Sequence, residues 1–274
     1  MEDISKRVAP AAGALGAYVD EDLEALAASG ALNELLDAHH VLFFRDQRLD
    51  AAGFGQIAAS LGTLEAHPAY PTVDGAGDVQ ILESTPDRPS KIELWHSDMT
   101  FRAQPPAVTL LYAQVLPDYG GDTLWASASR AYESLSEPLR GLVDVLEAEH
   151  DFAHGFQESL AEPGGRERLA DAIAENPPVR HPVVRTHPRS GRRAIYVNPL
   201  FTKRIAGLNR AESDMLLGLL ADHVARDEHT VRLRWQPGTI AVWDNRMTQH
   251  KPVNDFIGRH RRMYRVTVAG ERPR

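Results

Sequence analysis

Apolar positions along this chain come mostly in short blocks, four to ten residues long, separated by turn chemistry. Val41-Leu42-Phe43-Phe44 is such a block, closed by Arg45-Asp46, and predicts a buried strand. Val79 to Leu82, Ala107 to Leu116 and Thr123 to Ala126 read the same way, the last two joined by Pro117-Asp118-Tyr119-Gly120-Gly121-Asp122. The second half adds Arg180 to Thr186, Arg193 to Val197, Thr230 to Trp235, Thr239 to Trp243 and Met263 to Val268. Helical spacing is confined to fewer places. Asp20 to Ser29 predicts a helix capped by Asp20 and stopped by Gly30, and Ala31 to His40 a second. Asp50 caps a third that ends at Gly62, and Ser127 and Ser136 start two more. Asn209 to Ala225 carries Met215, Leu216, Leu219 and Leu220 at helical spacing. Glu149 to Phe156 fits either period. Many short strands with Gly/Pro turns predict a sandwich or jelly roll, with the helices packed outside it.

Composition narrows the picture. The 274 residues suit one large domain or two small ones; no repeat, low-complexity tract or linker divides them. The polar stretch Glu162 to Asn176, with Gly164-Gly165, is the expected mobile insertion within about residues 157–178, either a surface loop or a lid. A net charge of −8 argues against a nucleic-acid binder. With no cysteine there is no disulfide, thiolate nucleophile or Cys-ligated metal. No apolar run is long enough to span a membrane, and the charged start lacks a signal-peptide core, so a cytoplasmic protein is expected.

The chemistry centres on Leu94-Trp95-His96-Ser97-Asp98-Met99-Thr100-Phe101. On an extended strand His96 and Asp98 point the same way. One imidazole and one carboxylate side by side are two of the three ligands of a 2-His-1-carboxylate site for non-haem Fe(II). That spacing alone also fits a surface histidine near a turn carboxylate. The third ligand must come from far along the chain, and His250, expected just after a strand, is the best candidate. Arg261 and Arg265 follow, four apart and so on one face of a strand. Each offers a planar fork for carboxylate or sulfonate oxygens.

At this point the chain resembles the Fe(II)/2-oxoglutarate-dependent dioxygenases of the taurine dioxygenase family. The resemblance runs through HPxYP at His67, WHSDMTF at Trp95, PxxGGDTLW at Pro117 and AEHDF at Ala148. It continues through HPVVRTHP at His181, VNxxFT at Val197 and WDNRxTQH at Trp243. It implies a mainly β domain spanning the chain, a double-stranded β-helix (jelly-roll) core with peripheral helices. His96, Asp98 and His250 match the iron ligands. Arg261 matches the arginine that pairs with the distal carboxylate of 2-oxoglutarate, and Thr123 the hydroxyl that supports it. Arg265 matches the arginine that holds the substrate's anionic head. His67, Tyr70, Phe156 and Phe201 match pocket residues, although core packing would equally explain the two phenylalanines. O2 and 2-oxoglutarate are the implied co-substrates. A homo-oligomer, dimeric or tetrameric, is expected.

The implied reaction converts 2-oxoglutarate to succinate and CO2 while hydroxylating a small anion, taurine or a related alkyl sulfonate, which then releases sulfite and an aldehyde. Alkyl sulfates and aryloxyalkanoates are the alternatives. One departure bears on the choice. Ile92 stands where taurine enzymes carry an Asn that helps read the amine, and Gly155 where a Ser is usual. Isoleucine cannot accept a hydrogen bond from an ammonium, which favours a more apolar substrate. Two other classes use similar residues. A zinc hydrolase would not require Arg261 or Thr123, and a non-catalytic jelly-roll binding protein would tolerate loss of His96 or Asp98.

Overall fold

The structure, a computed structural model, describes residues 7–68 and 70–274. The first six residues, and Ala69 within the His67–Pro71 loop, lie outside it.

Two antiparallel sheets face each other. The larger runs, edge to edge, Val8–Pro10, Ala17–Val19, Val41–Phe44, Ile240–Asp244, Val108–Val115, Arg261–Val268 and Leu64–Glu65, with Gln80–Ser84 also paired to Arg261–Val268. The smaller is Thr230–Leu233, Thr123–Ser127 and Thr248–Pro252. A band of large side chains fills the space between them, including Phe43, Trp125, Trp243 and Met263, all nearly inaccessible. Trp125 anchors it, edge-on to Trp243 at 5.5 Å and tilted against Phe43 at 5.4 Å. This is the jelly-roll core, and every large-sheet pair is antiparallel except Ala17–Val19 with Val41–Phe44.

Strand parity decides what enters that core. Leu110 and Tyr112 point outward onto helix Ala51–Leu61, where Phe54 and Ile57 meet them; Leu111 and Ala113 point inward. On Arg261–Val268 the inward set is Arg261, Met263 and Arg265. A register shift against Val108–Val115 is absorbed by an extra residue, Gln114, on the neighbouring strand. Arg261–Val268 itself stays regular, so the two arginines share one face.

The helical expectations hold with adjustments. Helix Leu23–Ser29 is capped by Asp22, not Asp20: the Asp22 carboxylate accepts from the backbone of Glu24 and Ala25. In Arg210–Val224 the cap is a reciprocal Asn209–Glu212 box. Its buried face is Leu216, Leu220 and Val224, while Met215 and Leu219 are exposed. The ambiguous Glu149 to Phe156 splits into strand Glu147–His150 and helix Phe152–Gly155. Residues 157–178 form three short helices, Gln157–Ala161, Gly165–Arg168 and Ala170–Glu175. Leu160, Leu169 and Ile173 from this stretch join Ile92, Phe156 and Phe201 in one apolar cluster. No helix among the described residues is long and apolar enough to cross a membrane.

Candidate active site

His250 follows strand Ile240–Asp244, as expected, and itself sits within the next strand, Thr248–Pro252 of the small sheet. His96 is not on a long strand. It makes a single bridge to His250, N–H to carbonyl in both directions at 2.9 and 2.7 Å. That pair sets the two rings side by side, centroids 4.1 Å apart. The chain then turns at Asp98-Met99-Thr100, with Met99 at φ 48°, a left-handed conformation unusual outside glycine. The turn carries the Asp98 carboxylate back toward the rings. Asp98 Oδ1 lies 3.9 Å from the Nε2 of each histidine. The ligand atoms of all three residues fall within 4.8 Å of one another.

The surroundings prepare these groups to bind a cation. His96 Nδ1 donates to the Leu94 carbonyl at 2.9 Å, which leaves Nε2 as the lone-pair nitrogen facing the cluster. Burial, reinforced by neighbouring His96, pushes the His250 imidazole down to about 3, and burial lowers His96 as well. Both rings are therefore neutral at neutral pH. Asp98 is the reverse. Burial opposes its charge, but Arg265, His250, His96 and the Thr109 hydroxyl outweigh that and hold the carboxyl well below the usual range. Thr109 Oγ1 donates to Asp98 Oδ2 at 2.7 Å, which leaves Oδ1 toward the histidines. Asn245 locks the backbone beneath. Its Oδ1 accepts from Asp98 N at 2.6 Å, and its Nδ2 donates to the carbonyls of Asp98 and Pro106.

A second acid–histidine group, Asp37, His187 and Asp244, is also compact, but its atoms are already spoken for. His187 donates to Asp244 at 3.0 Å and accepts from Ser190 N, while Asp244 takes Arg246 in a fork at 2.7 and 3.0 Å. This network braces the turn that carries Asn245.

Both arginines reach the site from the facing sheet. Arg261 lies between Trp235 and Phe256, its guanidinium carbon 6.0 and 5.8 Å from their ring centroids. Burial lowers its pKa to about 10, with Asp122 working against the drop, so it stays charged at neutral pH. Its Nε is buried with no hydrogen-bond partner. Thr123 Oγ1 accepts from Trp235 Nε1 at 3.0 Å, leaving its own O–H to donate. Gly121, at φ 71°, lets Arg261 pass close by: a Cβ there would stand 3.2 Å from Arg261 Cδ. Arg265, only 4% exposed, puts Nη2 2.8 Å from Asp98 Oδ1 as an ion pair. The geometry is out of line for a hydrogen bond, and neither Nη has an acceptor among the described residues. These buried donors without acceptors fit anionic ligands with two or three oxygens.

The remaining residues form a wall on one side. His67 packs on Tyr70 at 4.7 Å and on Phe156 at 5.8 Å, and Phe201 stands edge-on to His96 at 6.3 Å. Burial, with Arg265 adding to it, drives the His67 imidazole well below its usual value, so it is neutral. Ile92 joins the wall through the apolar cluster it shares with Phe156 and Phe201. Of the residues predicted from the sequence, Arg265, His67, Tyr70, Phe156 and Phe201 adjoin the histidine–aspartate cluster directly or through one another, while Thr123 and Arg261 meet beside Trp235.

Three supporting residues were not singled out: Thr109, Asn245 and Gln80. Gln80 is 1% exposed and lies opposite Arg265 in register. It accepts from His67 N and donates to the carbonyls of His67 and Tyr70, pinning that loop over the site. Thr109 and Gln80 had one available signal, a polar residue inside an apolar strand.

A jelly roll holding two neutral imidazoles, one carboxylate and two inward arginines with unfilled hydrogen-bond donors is the architecture of a 2-oxoglutarate-dependent dioxygenase. Comparison with known proteins agrees. The chain belongs to the family described as "Taurine catabolism dioxygenase TauD, TfdA family", whose model matches residues 6–267. It is 40% identical to an alpha-ketoglutarate-dependent sulfate ester dioxygenase of Pseudomonas putida, over 97% of this chain and 90% of that one. It is 36% identical to an alkylsulfatase of Acinetobacter baylyi, over 88% and 76%. The crystal structure of a taurine dioxygenase from Burkholderia xenovorans superposes with a TM-score of 0.81 at 34% identity, covering 97% of this chain and 90% of that one.

Proposed function

We propose that this enzyme hydroxylates the carbon next to the head group of an alkyl sulfate ester. The observation that carries this is a buried Arg265 near an apolar cluster of Ile92, Phe156 and Phe201, the two linked through His67. The first needs an anion and the second an alkyl chain. The relatives that are named for sulfate esters support sulfate over sulfonate. The taurine dioxygenase structure supports a short alkyl sulfonate as second reading.

In this reading His96, Asp98 and His250 hold Fe(II), and the whole chain is one dioxygenase domain. Arg261 and Thr123 hold the far carboxylate of 2-oxoglutarate. Iron, 2-oxoglutarate and O2 together supply the oxidising power to hydroxylate an unactivated C–H bond, giving succinate and CO2. The protein's part is placement. Arg265 fixes the sulfate oxygens as a fork. His67 and Tyr70, pinned by Gln80, close one side as neutral groups that do not compete for the anion. Phe156, Phe201 and Ile92 take the chain and keep water away from the reacting carbon. Hydroxylation there leaves a carbon bearing both hydroxyl and sulfate. Its C–O bond to sulfate breaks as the hydroxyl loses its proton, yielding aldehyde and sulfate.

A succinate-release screen across butyl to octyl sulfate, butane- and pentanesulfonate, taurine and an aryloxyacetate tests this. Alkyl sulfates should give the highest kcat/KM and taurine a value at least about tenfold lower, since each buried methylene contributes roughly 0.8 kcal/mol. Ile92→Asn should shift the ratio toward taurine by supplying an acceptor for its amine. A wild type that strongly prefers taurine, with a ratio unmoved by Ile92→Asn, would show that Ile92 does not face the substrate.

A further inference from the structure

Gly155 ends the short helix Phe152–Gly155. Its φ is not positive, so the backbone does not demand glycine there. Glycine at such a position is disfavoured relative to alanine. Its neighbour supplies the reason. A Cβ built on Gly155 would lie 2.5 Å from both Cδ1 and Cε1 of Phe201, and 3.2 Å from the Leu200 carbonyl oxygen. The Phe201 ring occupies the space that any side chain at 155 would need.

Phe201 cannot retreat with its backbone. Its N–H donates to Asn198 Oδ1 at 3.0 Å, and its carbonyl accepts from Asp151 N at 2.9 Å. Asn198 in turn donates to the Thr100 hydroxyl, two residues beyond Asp98. A displaced ring must therefore rotate about its own side-chain bonds. One flank is closed by Phe101, fully buried at 5.0 Å and itself edge-on to Phe152. Its looser neighbours are His96 at 6.3 Å and Phe156 at 6.4 Å, so the ring has more room toward the histidine–aspartate cluster. Rotation in that direction brings the ring into the space between the cluster and the apolar wall.

We propose that Gly155 is a specificity-determining residue: by leaving a hollow for the Phe201 ring, it lengthens the pocket for the substrate's alkyl chain. This deepens the alkyl-sulfate reading and rests on it.

The test is the chain-length profile of Gly155→Ala, measured as kcat/KM on ethyl to octyl sulfate. Long chains should lose about 10- to 60-fold relative to ethyl sulfate, at about fourfold for each methylene no longer accommodated. In a Phe201→Leu background, the same change should leave the long-to-short ratio within about threefold. Phe201→Leu alone should extend acceptance toward longer chains, and it gives an answer even if Gly155→Ala does not fold. A crystal structure of Gly155→Ala should show the ring of Phe201 turned toward His96, a readout independent of any substrate. Equal loss at every chain length, a chain-length effect that persists without the Phe201 ring, an unchanged Phe201→Leu profile, or an unmoved ring would each overturn the proposal. A wild type that turns over no sulfate or sulfonate would instead overturn the substrate reading, while the ring position in the crystal would still decide the steric claim.

Discussion

Arg261→Ala should raise the KM for 2-oxoglutarate by roughly two to three orders of magnitude, and change the KM for the alkyl sulfate by less than about threefold. Its guanidinium lies between two aromatic faces, with burial lowering its pKa to about 10 and Nε unpaired. A partly buried charge whose Nε lacks a partner favours binding of an anion: breaking such a pair costs up to the order of 3–5 kcal/mol. Arg261→Lys should rescue little, because an ammonium cannot reproduce a two-pronged contact. Initial-rate kinetics with each substrate varied in turn will check this. Equal rises in both KM values would assign the carboxylate to another residue, with Arg265 the first candidate.

Asp98→Ala should abolish turnover, by more than about 1000-fold, well beyond the 10–100-fold usual for groups that only support a ligand. It should also destabilise the metal-free protein. Asp98 is the ion-pair partner of Arg265 and the acceptor for Thr109, and both would be left in the interior. A loss of about 3–5 kcal/mol corresponds to a fall in Tm of roughly 10 °C for a chain of this size. Calorimetry on the chelated protein separates the two effects. A normal Tm with lost activity would mean that Arg265 finds another partner; retained activity would remove Asp98 from the site altogether.

How the sequence encodes this site differs from residue to residue. Strands such as Val41–Phe44 and Val108–Val115 were legible because burial on both faces leaves continuous apolar runs. Arg261 and Arg265 were legible as a pair because the extra residue fell on the neighbouring strand, leaving their alternation intact. The exact seat of His96 and Asp98 was not. Side-by-side projection from a strand gave way to a single bridge to His250 and a left-handed Met99. Short strands at or beside the sheet edges, such as Val8–Pro10, Ala17–Val19 and Leu64–Glu65, carry too few residues to show a period. Met215 and Leu219 fit the helical spacing yet face solvent, because periodicity locates a stripe but not its edges. Asn245 acts through backbone groups distant in sequence, and no local pattern announces such a contact.

The most direct test of the account is succinate release by the purified chain with hexyl sulfate, 2-oxoglutarate and O2, before chelation, after it, and after Fe(II) is returned. One succinate per sulfate released is expected, with no turnover in the chelated protein and recovery with Fe(II). Full turnover after chelation, or sulfate release without 2-oxoglutarate, would contradict it.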